Sequence, residues 1–130
     1  MTRELIATEL APKAIGPYSQ AVLVQTEKTL YCSGQIPLDP ASGQLVGAGD
    51  IRAETHQVLK NLQAVLNAAG ASLSHVAKTT IFLTNLGNFA IVNEVYGSYF
   101  PTDPPARSTV QVSALPRGAQ IEIEAIAVVA

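Results

Sequence analysis

The chain has 130 residues, of which 48% are hydrophobic and 14% charged, with a formal net charge of −2 at pH 7. A chain of this length and composition is expected to fold as one compact domain, residues 1–130, without disulfides or structural metals. Lysine and arginine total 8 against 10 acidic residues and form no basic run. This balance argues against nucleic acid or an anionic membrane surface as the partner.

The N-terminal segment lacks the apolar core of a signal peptide, and no apolar run approaches the roughly 18 residues of a membrane span. We therefore expect a cytoplasmic protein that does not enter the membrane. The lone cysteine, Cys32, cannot form an internal disulfide, and its place in "LYCSG" favours a small buried strand residue over a nucleophile. His56 and His75 have no cysteine or histidine partner at ligand spacing, so we expect no metal site.

Two β-favouring runs, residues 18–25 and 30–33, are separated by "TEKT" at residues 26–29, which predicts a hairpin. The loop that follows, residues 34–50, is rich in Gly, Pro, Asp and Ser. Asp50, at the end of this loop, is well placed as the N-cap of a helix.

The strongest helical pattern covers residues 51–69, where apolar residues recur at three- and four-residue steps until Gly70 stops the helix. Residues 76–84 form a β-rich run. Asn88 is predicted to cap a second helix, which ends before Pro101 and has one apolar face. The residues that share this face are Phe89, Val92, Val95, Tyr96 and Tyr99.

Two further strands are predicted at residues 106–112 and 119–130. In the last strand, alternate residues form a wholly apolar face, while the opposite face begins with Glu122 and Glu124 and then turns apolar. The element order and the single apolar stripe of each helix predict an α+β fold, with one mixed sheet backed by two helices. Because the second sheet face is partly apolar, we expect other copies of the chain to cover it.

Arg107 is the strongest candidate for ligand binding. It lies in "PPARSTVQV", between two prolines and a predicted strand. Its planar fork of donors matches a carboxylate through two parallel hydrogen bonds, and the prolines restrict the backbone before a ligand arrives. The alternative is a surface arginine that pairs with a nearby acid.

Glu122 and Tyr18 are the other candidates for catalytic chemistry. A partly desolvated glutamate on an apolar strand can exchange protons with water near neutrality, which suits a general base. An edge-strand glutamate that serves solubility is the alternative, and Glu124 on the same face fits that role better. Tyr18 follows the turn at Gly16 and Pro17, so its hydroxyl either projects into a pocket or packs in the core.

Five motifs occur in order along the chain: "AIGPYSQA", "SGQIPLDP", "NEVYGSYF", "PPARSTVQV" and "IEIEAIAV". Together they resemble the Rid family of reactive-intermediate deaminases, also called the YjgF or UK-type family, in its RidA branch. The resemblance runs from about residue 4 to the end without a large insertion. It implies a chorismate-mutase-like α+β fold and a homotrimer with three clefts between subunits.

The resemblance also implies hydrolysis of 2-imino acids, such as 2-iminobutanoate and 2-iminopropanoate, to 2-keto acids and ammonia, without metal or organic cofactor. By position, Arg107 would bind the substrate carboxylate and Glu122 would activate or position the attacking water, with Tyr18 as the third catalytic residue. The backbone of Thr109 would supply a hydrogen bond to the substrate. The remaining cleft residues would be Ser33, Gly34 and Asn93.

Many relatives have cysteine where this chain has Thr109. A role for the backbone N–H tolerates threonine, whereas a required thiol would not. Because imine hydrolysis needs no covalent nucleophile, we favour the backbone role.

Three other functions remain as alternatives. A chorismate mutase with this fold would have to bind two carboxylates and an ether oxygen, but the arginines of this chain are scattered. A non-catalytic module that senses a keto or amino acid would use the same carboxylate clamp in the same intersubunit cleft. The ribonuclease activity attributed to some relatives calls for a basic groove with aromatic side chains, which the acidic balance opposes.

Overall fold

The computed structural model describes residues 2–25 and 28–129, which form six strands and two α-helices. The strands are β1 (Thr2–Ile6), β2 (Ala21–Gln25), β3 (Lys28–Gln35), β4 (Val76–Leu83), β5 (Ala106–Gln111) and β6 (Ile121–Val129), and the helices are α1 (Ile51–Ala68) and α2 (Phe89–Tyr99). The predicted α+β class is confirmed. No helix among the described residues is long and apolar enough to cross a membrane.

Four strands form one mixed sheet in the order β3-β6-β4-β5. The β4 and β5 strands are parallel, whereas β6 is antiparallel to both of its neighbours. A parallel neighbour requires a crossover connection, and α2 supplies it between β4 and β5. The predicted mixed sheet with two helices is therefore present, and β5 lies at its edge.

The N-terminal strand β1 was not predicted from the sequence. Its residues pair antiparallel with β2, from Thr2 opposite Gln25 to Ile6 opposite Ala21. The second strand begins at residue 21 rather than at the predicted residue 18, because residues 16–20 form a turn and a single bridge. The predicted hairpin between the second and third strands is wrong for the described residues, because β2 pairs with β1 in a separate two-stranded sheet and β3 pairs with β6. Its predicted turn includes Thr26 and Glu27, which lie outside the described residues.

Both helices pack on one face of the four-stranded sheet. The apolar face predicted for the last strand is buried there, with Ile121, Ile123 and Ala127 fully buried against α1 residues such as Leu59 and Leu62. Cys32 also belongs to this core, as predicted, and burial raises the pKa of its thiol. The core thus fixes which side chains of each strand face the helices.

The helix ends follow the predicted signals with one exception. The Asp50 side chain accepts hydrogen bonds from the backbone N–H groups of Arg52 and Ala53, which is the predicted N-cap of α1. At the other end, Gly70 adopts a left-handed conformation with φ of 78°. Asn88 occupies the N-cap position of α2 without a side-chain hydrogen bond, because a short 3-10 turn over residues 86–88 precedes the helix and continues into it.

The second face of the sheet is open in the single chain. Tyr31 is 75% exposed there and Ile126 is 36% exposed. Val128, predicted on the same face, is buried within the chain. Apolar exposure on a sheet face agrees with the expectation that another copy covers it.

Candidate active site

Arg107 of β5 lies in an aromatic pocket against α2. Its Nη1 group donates a hydrogen bond to Oδ1 of Asn93 at 2.7 Å. The guanidinium carbon is 5.3 Å from the ring centroid of Tyr18, 5.5 Å from that of Phe89 and 5.2 Å from that of Tyr96. An aromatic face attracts a cation within about 6 Å. These contacts fix the guanidinium, while Asn93 is its only hydrogen-bond acceptor within residues 2–25 and 28–129.

The backbone before Arg107 is held by Ser19. The Ser19 hydroxyl donates to the carbonyl of Pro104, and its backbone N–H donates to the carbonyl of Pro105 at 3.1 Å. Since the two prolines restrict their own φ angles, these bonds leave the segment little freedom. The same bonds place Tyr18, the residue before Ser19, against the guanidinium. The predicted preorganisation of Arg107 thus has a structural basis.

The charge of Arg107 has no acidic partner among residues 2–25 and 28–129. Burial lowers the pKa of the Arg107 guanidinium, and the hydroxyl groups of Tyr96 and Tyr18 partly offset that effect. In the described part of the chain, the only ion pair joins Arg52 to Glu94 on the surface of the helices. A half-buried cation without a carboxylate partner favours an anionic ligand, which replaces the water that burial removes.

Glu122 of β6 lies directly over Gly34 of β3. A β-carbon at Gly34 would overlap the Oε2 atom and the side-chain carbons of Glu122, so only glycine leaves room for this carboxylate. The pairing of β3 with β6 also shifts register between Cys32 and Gln35. Ser33, within this irregular stretch, is exposed. Gly34, expected from the resemblance to line the cleft, is thus in contact with the Glu122 side chain.

Arg107 and Glu122 lie on opposite faces of the sheet. Arg107 pairs with Thr79 of β4, whose hydroxyl lies 2.7 Å from that of Tyr96 and therefore faces the helices. Glu122 pairs with Phe82, three residues further along β4 and so on the other face. Within one chain the predicted site residues thus form two groups. Arg107, Tyr18 and Asn93 lie on the helix side of the sheet. Glu122 lies on the opposite face, over Gly34, and Ser33 precedes Gly34 in β3.

Thr109 shares the face of Arg107, two residues along β5. It pairs with Ile81, a fully buried residue of β4. Among the described residues, Thr109 Oγ1 is the one buried side-chain oxygen or nitrogen without a hydrogen-bond partner. Because β5 is an edge strand, half of its backbone N–H groups point away from β4, where a ligand can reach them.

Sequence reasoning missed two residues that contact Arg107, Phe89 and Tyr96, because it assigned both to the apolar face of the second helix. A spacing signal was present, since Phe89, Asn93 and Tyr96 follow one another at four and three residues and so form one helical stripe. A polar amide between two aromatic residues is unusual on a core-facing stripe. Burial raises the pKa of Tyr96 to about 12, so its hydroxyl stays protonated near neutrality.

The described residues contain no group of three or more His, Cys, Asp or Glu side chains that could hold a metal ion. The chemical groups at the site are one guanidinium, one carboxylate, aromatic rings, an amide and edge-strand backbone. This set suits a small carboxylate ligand together with proton transfer to and from water.

A family model described as "Endoribonuclease L-PSP" matches residues 8–129 of the chain. "Protein DfrA" of Myxococcus xanthus is 61% identical over 128 residues, which cover 98% of this chain and 97% of that protein. The "2-iminobutanoate/2-iminopropanoate deaminase" of Mus musculus is 54% identical over 126 residues, which cover 97% of this chain and 91% of that protein.

Among solved structures, YyfB from Yersinia pestis, described as a protein of unknown function of the conserved Rid protein family, superposes with a TM-score of 0.92. It is 34% identical to this chain, and the match covers 99% of this chain and 100% of YyfB. The match to the family model spans most of the chain, and the relatives are well above the identity at which homology is secure. The chain therefore belongs to the Endoribonuclease L-PSP family, the Rid (YjgF/UK-type) family that its five motifs resemble.

Proposed function

We propose that this protein hydrolyses 2-imino acids, such as 2-iminobutanoate and 2-iminopropanoate, to 2-keto acids and ammonia. The observation that carries the proposal is the half-buried guanidinium of Arg107, which three aromatic rings and one amide fix and which has no carboxylate partner among the described residues. A full-length relative from Mus musculus bears the name of this activity at 54% identity.

Arg107 binds the carboxylate of the substrate. Two parallel hydrogen bonds from a guanidinium to a carboxylate are charge-assisted, and each contributes about 1.5 to 3 kcal/mol where water is excluded. Asn93 occupies one N–H group of the fork from the α2 side, so the approach of the ligand is restricted to the opposite side. A backbone N–H near Thr109 on the sheet edge adds a further donor to the carboxylate.

Glu122 accepts a proton from the attacking water and later returns it. Its carboxylate accepts a proton from a water molecule as the water oxygen bonds to C2 of the protonated imine, and the C=N double bond becomes single. The resulting carbinolamine collapses when the proton passes to the amino nitrogen, the C–N bond breaks and ammonia leaves with the electron pair. The C2 hydroxyl then loses its proton, which leaves the 2-keto acid and ammonium. The substrate is already electrophilic, so positioning and proton transfer are sufficient.

The site is completed by a second copy of the chain. Since Arg107 and Glu122 lie on opposite sheet faces, one substrate cannot contact both within a single chain, but a cleft between neighbouring copies can present Arg107 from one and Glu122 from the next. The apolar side chains exposed on the open sheet face supply a surface for such contacts. A homotrimer with three equivalent clefts is the assembly we propose.

An imine-trapping assay tests the proposal. A threonine dehydratase generates 2-iminobutanoate from threonine, semicarbazide traps the imine that escapes hydrolysis, and the rate of semicarbazone formation is followed with and without this protein. We expect wild type to suppress semicarbazone formation. We expect Arg107→Ala to lose the suppression, and Arg52→Ala, an exposed arginine of α1, to retain it. Equal suppression by wild type and Arg107→Ala would overturn the role of the guanidinium.

A Glu122→Gln variant separates the enzyme from a sensor that binds the same ligand. Glutamine keeps the size of the side chain but removes its capacity to accept and return a proton near neutral pH. We expect imine hydrolysis to fall while binding of 2-ketobutanoate, measured by calorimetry, is retained. Glu124→Gln, an exposed glutamate on the same strand face, is the matched control and should keep full activity. Unchanged turnover in Glu122→Gln would contradict the role of Glu122.

The ribonuclease activity named in the family description is disfavoured for this chain. The chain has 8 basic against 10 acidic residues, whereas cleavage of RNA requires affinity for a polyanion, which depends on several cationic contacts. Three of the aromatic rings, those of Tyr18, Phe89 and Tyr96, surround the guanidinium of Arg107. The pocket therefore fits one small carboxylate better than a nucleic acid strand.

A further inference from the structure

Glu54, in the first turn of α1, is completely buried although it carries an ionisable side chain. Its Oε1 atom accepts a hydrogen bond from the backbone N–H of Gln120 at 2.9 Å, and its Oε2 atom accepts one from the Gln120 side-chain amide at 2.7 Å. Oε2 also accepts from the backbone N–H of Gly49 at 3.2 Å. The carboxylate thus connects three segments: the loop before α1, α1 itself and the residue that precedes β6.

Neutral donors, not a cation, hold this carboxylate. Across residues 2–25 and 28–129, the only ion pair is Arg52 with Glu94, so Glu54 is stabilised by directed N–H groups. Hydrogen bonds from N–H groups depend on angle as well as distance, which makes Glu54 a geometric constraint on Gln120. A buried acid in this arrangement requires a reason beyond packing, because a leucine of similar volume would fill the same space.

Gln120 is fixed on a third side as well, since its carbonyl accepts a hydrogen bond from the backbone N–H of Thr84 at 3.1 Å. The strand β6 begins at Ile121, directly after Gln120, and Glu122 is the second residue of this strand. Glu122 fits closely over Gly34, where a β-carbon would overlap the Glu122 side chain. A small displacement of the start of β6 would therefore move the Glu122 carboxylate relative to β3.

We propose that Glu54 is a positioning residue for Glu122 and acts through its two hydrogen bonds to Gln120. This inference rests on the proposed function, in which Glu122 transfers the protons of the attacking water. Glu54 does not touch the substrate. It affects turnover because misplacement of a catalytic group by about 1 Å can cost on the order of 100-fold in rate.

The first test is the Glu54→Gln variant. Its amide presents an NH₂ group in place of one carboxylate oxygen. At the Oε2 position this removes the bonds from the Gln120 side chain and from the Gly49 N–H, and at the Oε1 position it removes the bond from the Gln120 backbone N–H, so one of the two bonds to Gln120 is lost in either orientation. We expect kcat for 2-iminobutanoate hydrolysis to fall about tenfold, while the Kd for 2-ketobutanoate, set by Arg107, changes less than about twofold. Glu4→Gln removes the same charge from an exposed position on β1 and should leave both values unchanged. A proportional change of kcat and Kd, or no change in kcat, would overturn the proposal.

The second test is rescue by exchange of the two side chains. In the double variant Glu54→Gln with Gln120→Glu, the amide at position 54 donates to the carboxylate at position 120, so the side-chain bond is restored with unchanged net charge. We expect this variant to recover most of the kcat lost in Glu54→Gln. Gln120→Ala, which removes the same bond from the half-buried partner, should reproduce the kcat loss even if Glu54→Gln does not fold. Absence of both the rescue and the Gln120→Ala loss would refute the positioning role.

A third readout is independent of activity. The ¹³C signal of the Glu122 carboxyl group, assigned by its disappearance in Glu122→Gln, reports the surroundings of this group directly. We expect the signal to shift in Glu54→Gln and to return toward the wild-type position in the exchanged double variant. If the wild-type protein shows no imine hydrolysis, the proposed function fails, but this signal still decides the positioning role. An identical signal in wild type and Glu54→Gln would overturn it.

Discussion

Arg107 and Glu122 project from opposite faces of the same four-stranded sheet, because their partners on β4, Thr79 and Phe82, are separated by three residues. Neighbouring positions of a strand alternate between faces, so an odd separation places the two side chains on different sides. One small ligand therefore does not contact both the guanidinium and the carboxylate within a single chain, which is why we propose a site shared between copies of the chain.

Gly34→Ala should impair catalysis without unfolding the protein. The new β-carbon would overlap the far end of the Glu122 side chain, which can rotate away, so the cost falls on the position of the carboxylate. We expect kcat for imine hydrolysis to fall about 10- to 100-fold with little change in the denaturation midpoint. Steady-state kinetics and urea unfolding measure the two effects.

Gly97→Ala is the matched control for this substitution. Gly97 lies within α2, and a β-carbon there would meet Pro17 at 3.7 Å, an ordinary contact. Alanine in a helix interior is more stable than glycine by up to about 1 kcal/mol, so this variant should be at least as stable as wild type and fully active. Equal activity of Gly34→Ala and Gly97→Ala would show that catalysis does not depend on the close fit of the Glu122 side chain over Gly34.

Thr109→Val should raise stability and leave activity intact. The Thr109 hydroxyl is buried without a partner among the described residues, and such a group costs about 1 to 3 kcal/mol. Valine has nearly the same shape and no hydroxyl, so we expect the free energy of unfolding to rise by about 1 kcal/mol. If the backbone N–H binds the substrate, kcat/KM for 2-iminobutanoate should remain within about twofold of wild type. A tenfold loss of kcat/KM in Thr109→Val but not in Thr109→Ser would show that the hydroxyl, rather than the backbone N–H, binds the substrate.

Tyr96 should make the protein less stable at alkaline pH. Burial raises its pKa to about 12, above the value of about 10 in the unfolded chain. Between these values the unfolded chain loses the Tyr96 proton while the folded chain keeps it, so stability falls as pH rises. The loss attributable to this group is about 2 kcal/mol at pH 12.

The comparison variant is Tyr96→Phe, which lacks the titrating group. It loses the hydrogen bond to Thr79 at every pH, so it should be less stable than wild type at pH 8. Urea unfolding at pH 8 and pH 11.5 should show the stability advantage of wild type shrinking with pH. If the free energy of unfolding fell by the same amount in both proteins between pH 8 and pH 11.5, the assignment of this pH dependence to Tyr96 would be contradicted.

The elements that depend on local sequence were predicted well. The three- and four-residue apolar spacing, Asp50 and Gly70 defined α1 to within one residue, and the alternation in β6 identified its buried face. The strand β1 was missed because "TRELI" is short and contains two charged residues, and its stability comes from pairing with β2. Strand order and the parallel pairing of β4 with β5 are contacts between distant residues, which a local pattern does not specify.

The candidate site was predicted in its chemistry but not in its geometry. The sequence predicts Arg107 and Glu122 as candidates from residue type and position, yet the separation of their side chains across the sheet depends on the register of three strands. Phe89 and Tyr96 were assigned to the core because apolar periodicity does not distinguish an aromatic ring that packs from one that holds a cation. The sequence did not indicate a special role for Glu54, because the helix dipole favours an acidic side chain in the first turn of any helix.

The most direct test of a shared site combines two inactive variants in one assembly. Arg107→Ala and Glu122→Gln chains with different affinity tags are co-expressed, and mixed oligomers that carry both tags are isolated and assayed for imine hydrolysis. If each cleft takes Arg107 from one copy and Glu122 from its neighbour, every mixed trimer contains one cleft with both wild-type residues among its three clefts, so about a third of wild-type activity should return. Separately purified variants that are mixed without exchange of subunits provide the inactive control. Mixed oligomers with no more activity than this control would contradict a site built between copies of the chain.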